Sequence, residues 1–171
     1  MKRLNVLIII FLFGFFVSGT ALADKPDATL LKYYSAYLTL NLNHAMGSSK
    51  IIYHLSHEKA IDKDFIEREL VRIKEDIDNA NNNIANIIIN TNESKKSATE
   101  KLLKSIDEHL SQVALDLKSV SVKMKKEEKF SSLISDIYYQ INKAENEDHR
   151  EIKRILELKE LDEPLIIEPI E

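Results

Sequence analysis

The sequence predicts an all-α protein: an up-down-up-down four-helix bundle with coiled-coil-like packing, behind a cleaved signal peptide and ahead of a short extended tail. Three observations predict it. Apolar residues recur at alternating three- and four-residue steps through most of the chain. Between Pro26 and Pro164 there is no proline, and Gly47 is the one glycine, so no residue there forbids helix. The apolar rows fall into four stretches of similar length joined by short polar connections, which favours antiparallel neighbours.

The first element is not part of the bundle. Met1, Lys2 and Arg3 precede the apolar run Leu4 to Val17, and "SGTALA" then leads into "DKPD". This is the three-part pattern of a secretory signal, with Ala21 and Ala23 at the small-residue positions a signal peptidase reads. Cleavage before Asp24 is expected, giving a signal peptide at 1–23, a bundle domain at 24–161 and an acidic and apolar tail at 162–171. An uncleaved anchor is the alternative, although the run is short for a span of about 20 apolar residues. Cleavage lowers the net charge from −4 to −6, because Lys2 and Arg3 leave with the segment. The chain has no cysteine. Disulfides, lipid attachment through cysteine, c-type haem attachment and thiolate metal sites are therefore excluded.

The first helical row is Leu31, Tyr34, Leu38, Leu42, Ala45, Ile52 and Leu55, opening after Asp27. The second is the most regular: Ile66, Leu70, Ile73, Ile77, Ala80, Ile84 and Ile87, with Asp62 or Asp64 as its start signal. The third is Leu103, Ile106, Leu110, Val113, Leu117, Val120 and Met124. "NTNES" precedes it, and "SATE" offers Ser97 and Glu100 as a reciprocal cap. The fourth is Phe130, Ile134, Ile137, Ile141, Ala144, Ile155 and Leu158. Its boundary with the third is set near "KMKKEEK", where the step from Met124 to Phe130 is out of register, and one helix from 98 to 161 is the competing reading. Helices of about 30 residues are roughly 45 Å long. The tail "DEPLIIEPIE" cannot continue the last helix; it either folds back on the bundle or adds to a partner's sheet edge.

Chemistry is sparse. The acidic balance opposes a nucleic-acid footprint, and no glycine-rich loop is present to cradle phosphate. No strand-to-helix elbow presents a nucleophile, so the chain reads as a non-enzyme. His54 and His57, three apart, form a weak two-ligand pattern, and Met46 and Met124 are read as packing residues. One stretch breaks the apolar rule: "ENEDHRE", residues 145–151, runs two turns without an apolar residue. Counted along an up-down-up-down bundle, His44, Asp76, His109 and Asp148 lie about 24, 21, 17 and 20 Å from one end. His44, Asp76, His109 and Glu147 share an edge position, where each histidine meets a carboxylate, and Asp148 takes a core position. Two plainer readings compete: helix 4 breaks after Ala144 and restarts at Asp148 with Glu151 as a cap, or the charges form a solvated rim.

The function these features predict is that of an exported protein, periplasmic or secreted, without a cofactor and with no membrane span after signal cleavage. It acts by protein–protein interaction, as an adaptor, chaperone-like or envelope module, through its tail, the tyrosine-rich "YYSAY" or an exposed helix face. The alternative is a ligand- or metal-binding bundle holding Zn or another divalent cation at His44, Asp76, His109 and Asp148. Flanking Ile51, Ile88 and Ile89 leave room for a homo-oligomer.

Overall fold

The computed structural model describes residues 28–58 and 62–158, and those residues are helical with no strand among them. Helix α1 spans Ala28–Leu55, α2 Lys63–Asn90 and α3 Glu93–Lys125. A fourth rod is made of α4 (Ser131–Lys143), a π-helical turn (Ala144–His149) and α5 (Arg150–Ile155). The expected signal peptide and cleavage site, Asp27 and the expected extended tail lie outside the described residues. None of the described helices is long and apolar enough to cross a membrane.

The apolar rows become the core. Leu38, Leu42, Ile66, Ile73, Ile106, Leu110, Ile134 and Ile137 are among its fully buried side chains, with Met46 and Met124 packed beside them. Helix α1 lies against α2 and the fourth rod, and α3 closes the ring against the same two. Polar links join the starts of α1, α2 and α3 to the end of a neighbour. Ser48 reaches Glu69, Lys63 reaches Glu127, Lys95 reaches Glu157, and Ser35 reaches His149.

Local chemistry sets the ends. Asp62 Oδ1 accepts from the Phe65 N–H at 2.9 Å and starts α2. Asn92 Oδ1 accepts from the Lys95 N–H at 3.1 Å and starts α3. The expected Ser97 cap is corrected: Ser97 lies inside α3, because Asn92 caps the helix a turn earlier and Glu93 favours the positive end of the helix dipole. A single helix from 98 to 161 is also overturned. After Lys125 the chain turns through Glu127 at φ 59°. There the Glu128 N–H donates to the Lys123 carbonyl at 2.9 Å and the Glu127 N–H to the Met124 carbonyl at 3.2 Å. This is a Schellman cap built on glutamate, in a position that glycine usually takes. The chain repeats it after α5, with Glu157 at φ 56° and the Leu158 N–H donating to Lys153.

The "ENEDHRE" stretch neither breaks the rod nor restarts it. Residues 144–149 continue as one π turn, closed by the Arg150 N–H donating to the Glu145 carbonyl, five residues back. The wider turn absorbs one extra residue and shifts the phase of everything after it. His149 and Ile152 enter the core, while Ile155 is only half-buried. Asp148, expected in the core, sits at its rim, and Glu147 is exposed. A buried lone carboxylate costs several kcal/mol. An inward His149 meets polar partners on α1, so the widened turn resolves that conflict.

Candidate functional site

Two features of α1 stand out, one on its inner face and one on its outer. The inner face carries Ser35 and Thr39 where a bundle helix would ordinarily carry larger apolar residues, and both point at the π turn. Ser35 Oγ lies 2.9 Å from His149 Nε2, and His149 Nδ1 lies 2.7 Å from Glu145 Oε2. Thr39 donates to Glu145 Oε1 at 3.0 Å, and Lys153 Nζ donates to the same oxygen at 3.1 Å. His149 is fully buried, and Ser35 and Glu145 nearly so. A carboxylate only accepts, so Nδ1 carries the proton of this bond. Burial pushes the Glu145 carboxyl up, yet the hydrogen bonds and charges of His149 and Lys153 override it and hold the group at about 2.

Serine, histidine and carboxylate stand here in the order of an acyl-transfer relay. The surroundings do not suit that chemistry. Ser35 lies inside a 28-residue helix, whose interior N–H groups are bonded along the helix and cannot stabilise an oxyanion, and its hydroxyl is enclosed. These bonds tie the first half of α1 to the fourth rod and so fix its rotation there. A second pin holds the other half, where Ser48 donates to Glu69 Oε2 at 2.7 Å and Arg72 to Glu69 Oε1 at 2.6 Å. Beside the layer, an open groove of about 340 Å³ is lined by Glu147, Arg150, Glu151, Lys153, Arg154 and Leu158. Lys153 belongs to both, so the buried charges are one side chain away from solvent.

The four residues named from sequence come together as two pairs. His44 faces Asp76: burial raises the Asp76 carboxyl, His44 lowers it and Glu75 raises it, with a net upward shift. His109 Nε2 lies 3.6 Å from Asp148 Oδ2, and its Nδ1 donates to Gln140 Oε1 at 2.6 Å. The histidine–carboxylate pairing was legible, but the π turn presents Asp148 to His109 in place of Glu147. Among the described residues no three histidine or carboxylate side chains are grouped so as to hold a metal ion. His54 and His57 each pack against Tyr53, with ring centroids 5.8 and 4.7 Å from it.

The outer face of α1 is the second feature. Tyr33, Tyr37, Leu40, His44, Gly47 and Ile51 follow one another at steps of four, three, four, three and four, opposite the buried row. Tyr33 is 51% exposed, Tyr37 and Leu40 43%, and Ile51 46%. The rings of Tyr33 and Tyr37 lie 4.4 Å apart, and the hydrogen bond that the Tyr33 hydroxyl donates to Tyr37 holds its phenol above the ordinary value. Between Ala28 and Ile51 the formal charges are Lys32 and Lys50, with no acidic residue, in a chain that is 30% charged. Elsewhere the exposed large apolar residues are fewer on any one helix face: Val71 and Ile89 on α2, Tyr139 on α4, and the pair Leu115 and Val122, seven apart on α3. Ile51, Ile88 and Ile89, the flanking residues through which two chains could assemble, do not lie together in one chain. Ile51 and Ile89 are exposed but Ile88 is half-buried against the core, and α2 carries Ile89 about 30 Å beyond Glu69, away from the end of α1.

Comparison with protein-family models, with curated proteins and with solved structures finds no match. The functional reading therefore rests on these residues.

The layer of Ser35, Thr39, Glu145, His149 and Lys153 was not read from the sequence. Its signal was available in two places: Glu145, His149 and Lys153 repeat every four residues, and Ser35 and Thr39 do the same on α1. Tertiary pairing was needed to show that the two polar strips face each other.

Proposed function

We propose that the mature protein, beginning at Asp24 after removal of 1–23, is an exported up-down-up-down four-helix bundle that acts without catalysis by binding another protein through the outer face of α1. The observation that carries this is the row at three- and four-residue steps on that face: half-exposed Tyr33, Tyr37, Leu40 and Ile51, interrupted by His44 and Gly47, in a helix free of acidic residues. Such a row is how a helix packs against a further helix, and monomers seldom leave one in water. The polar pins agree with it, since a helix that must present one face to a partner needs its rotation fixed. Adaptor, chaperone-like and envelope modules all fit this reading, in a periplasm or outside the cell. The test is photo-crosslinking in the exporting cell, with a benzophenone side chain at position 33 or 37 and a control at Gln112 on the exposed side of α3. Protein adducts at 33 and 37 and none at 112 are expected. No adduct at either α1 position would overturn the reading.

One observation favours a second reading, cation binding at His109 and Asp148. Asp148 Oδ2 is buried without a hydrogen bond, and its 3.6 Å separation from His109 Nε2 suits two ligands of one tetrahedral ion with bonds of about 2 Å. Two protein ligands leave the remaining positions to water. Calorimetric titration with Zn²⁺ tests it: binding by the native protein that is lost in His109→Ala supports the reading, and no heat, or heat unchanged by the substitution, overturns it.

A further inference from the structure

We infer that the protein bound by the outer face of α1 is a second copy of this chain, packed antiparallel, α1 against α1, about a two-fold axis between Leu40 and His44. This rests on the binding reading above and supplies its partner.

The first argument is register. In an antiparallel pair the three- and four-residue steps of two helices stay level only when residues at the two kinds of core position face each other, so that one helix's a meets the other's d. Applied to this row, Tyr33 meets Ile51 of the second copy, Tyr37 meets Gly47, and Leu40 meets His44. The second half of the row then repeats the same three layers in reverse. The row is therefore complementary to itself, as a two-fold interface requires.

Size is the second argument. A Cβ added at Gly47 would meet nothing within 4 Å, so the space above this residue is open. It sits level with the Tyr37 ring of the other copy, the bulkiest side chain of the row against the smallest. A parallel pair would set Gly47 on Gly47, leaving a void, and His44 on His44. Charge raises no objection: no acidic residue lies on α1, its two lysines, Lys32 and Lys50, both lie off the row, and Asp76 of α2, a carboxylate beside the row, is paired with His44.

Area is the third. Tyr33, Tyr37, Leu40 and Ile51 each offer on the order of 100 Å² at their observed exposure. With His44 and the flanking Tyr34, Ala36 and Asn43, a pair that covered all of this surface would bury at most about 1,200 Å², where specific interfaces begin. A dimer with Kd in the micromolar range fits that size.

The absence of cysteine makes the test direct. Sedimentation equilibrium of the mature protein from about 1 to 100 micromolar should show a monomer–dimer equilibrium, and Leu40→Lys, at an exposed position, should remain monomeric with its helical circular dichroism unchanged. Single variants Tyr37→Cys and Gly47→Cys should form an interchain disulfide when mixed under mild oxidation and not when either is alone. A monomer throughout the concentration range overturns the inference, as does crosslinking of each variant alone as fast as the mixture. Photo-adducts at position 33 with a different protein, in a chain that sediments as a monomer, would retain the binding face and reject the second copy. Absence of any adduct would reject both.

Discussion

Replacing Glu145 by alanine should destabilise the bundle by about 3 to 5 kcal/mol at pH 7, the range for breaking a buried charged pair from one side. The structure gives the reason. Glu145 is 5% exposed and accepts from Thr39, His149 and Lys153 at 3.0, 2.7 and 3.1 Å, so its removal leaves a wholly buried imidazole N–H and a largely buried ammonium with one shared acceptor between them, Thr39 Oγ1, at 3.4 Å from each. Linkage gives an independent figure of the same order. The carboxyl is held at about 2 against an ordinary 4.5, a difference worth about 3 kcal/mol. Because the folded value is depressed, this stabilisation is fully present above pH 4.5 and fades as pH falls towards 2. Urea unfolding of the native protein and of Glu145→Ala, from pH 7 down to pH 2.5, measures both. The gap between the two should be about 3 kcal/mol or more at pH 7 and should narrow through that acid window. Glu145→Gln keeps the shape and loses the charge, so it should show the same narrowing from a smaller starting gap. A cost below about 1 kcal/mol at pH 7, or a gap that does not change with pH, would refute the reasoning.

Three further outcomes are expected. Ile77→Ala and Leu110→Ala should each cost about 2 to 5 kcal/mol in urea unfolding, since both side chains lie in the core. Glu127→Gly and Glu157→Gly should each raise the thermal midpoint, measured by circular dichroism, because glycine adopts the positive φ of these two caps without the crowding a Cβ brings, a gain that outweighs the exposed ion pairs lost to Lys63 and Lys95, each worth under about 1 kcal/mol. The intact mass of the exported protein should correspond to a chain beginning at Asp24, and a mass that retains 1–23 would contradict the signal-peptide reading.

The sequence by itself determined the helices and which of their faces are buried. In α2 and α3 the apolar rows are unbroken, and every residue of both, from Ile66 to Ile87 and from Leu103 to Met124, is buried as their spacing requires. A helix buries whatever lies on its apolar stripe, so a regular period carries that information locally. The starts of α2 and α3 were bounded for a similar reason, since capping is a bond between near neighbours: Asp62 or Asp64 marked the first, and "NTNES" the second, although the cap there is Asn92 and not Ser97. The end of α3 was harder to read, since glutamate takes the left-handed position that glycine would have advertised. The fourth rod could not be phased from its own residues. Whether residues 144–149 wind as an α turn or a π turn depends on which side chain can be buried at lower cost, Asp148 or His149, and that is decided by Ser35 and Thr39, more than a hundred residues away. Only tertiary structure brings those hydroxyls to the imidazole. The same holds for the outer row of α1: its spacing is present in the sequence, but an apolar row looks alike whether it faces a core or solvent, and it took the packing of the other three rods on the opposite side to leave Tyr33, Tyr37, Leu40 and Ile51 exposed.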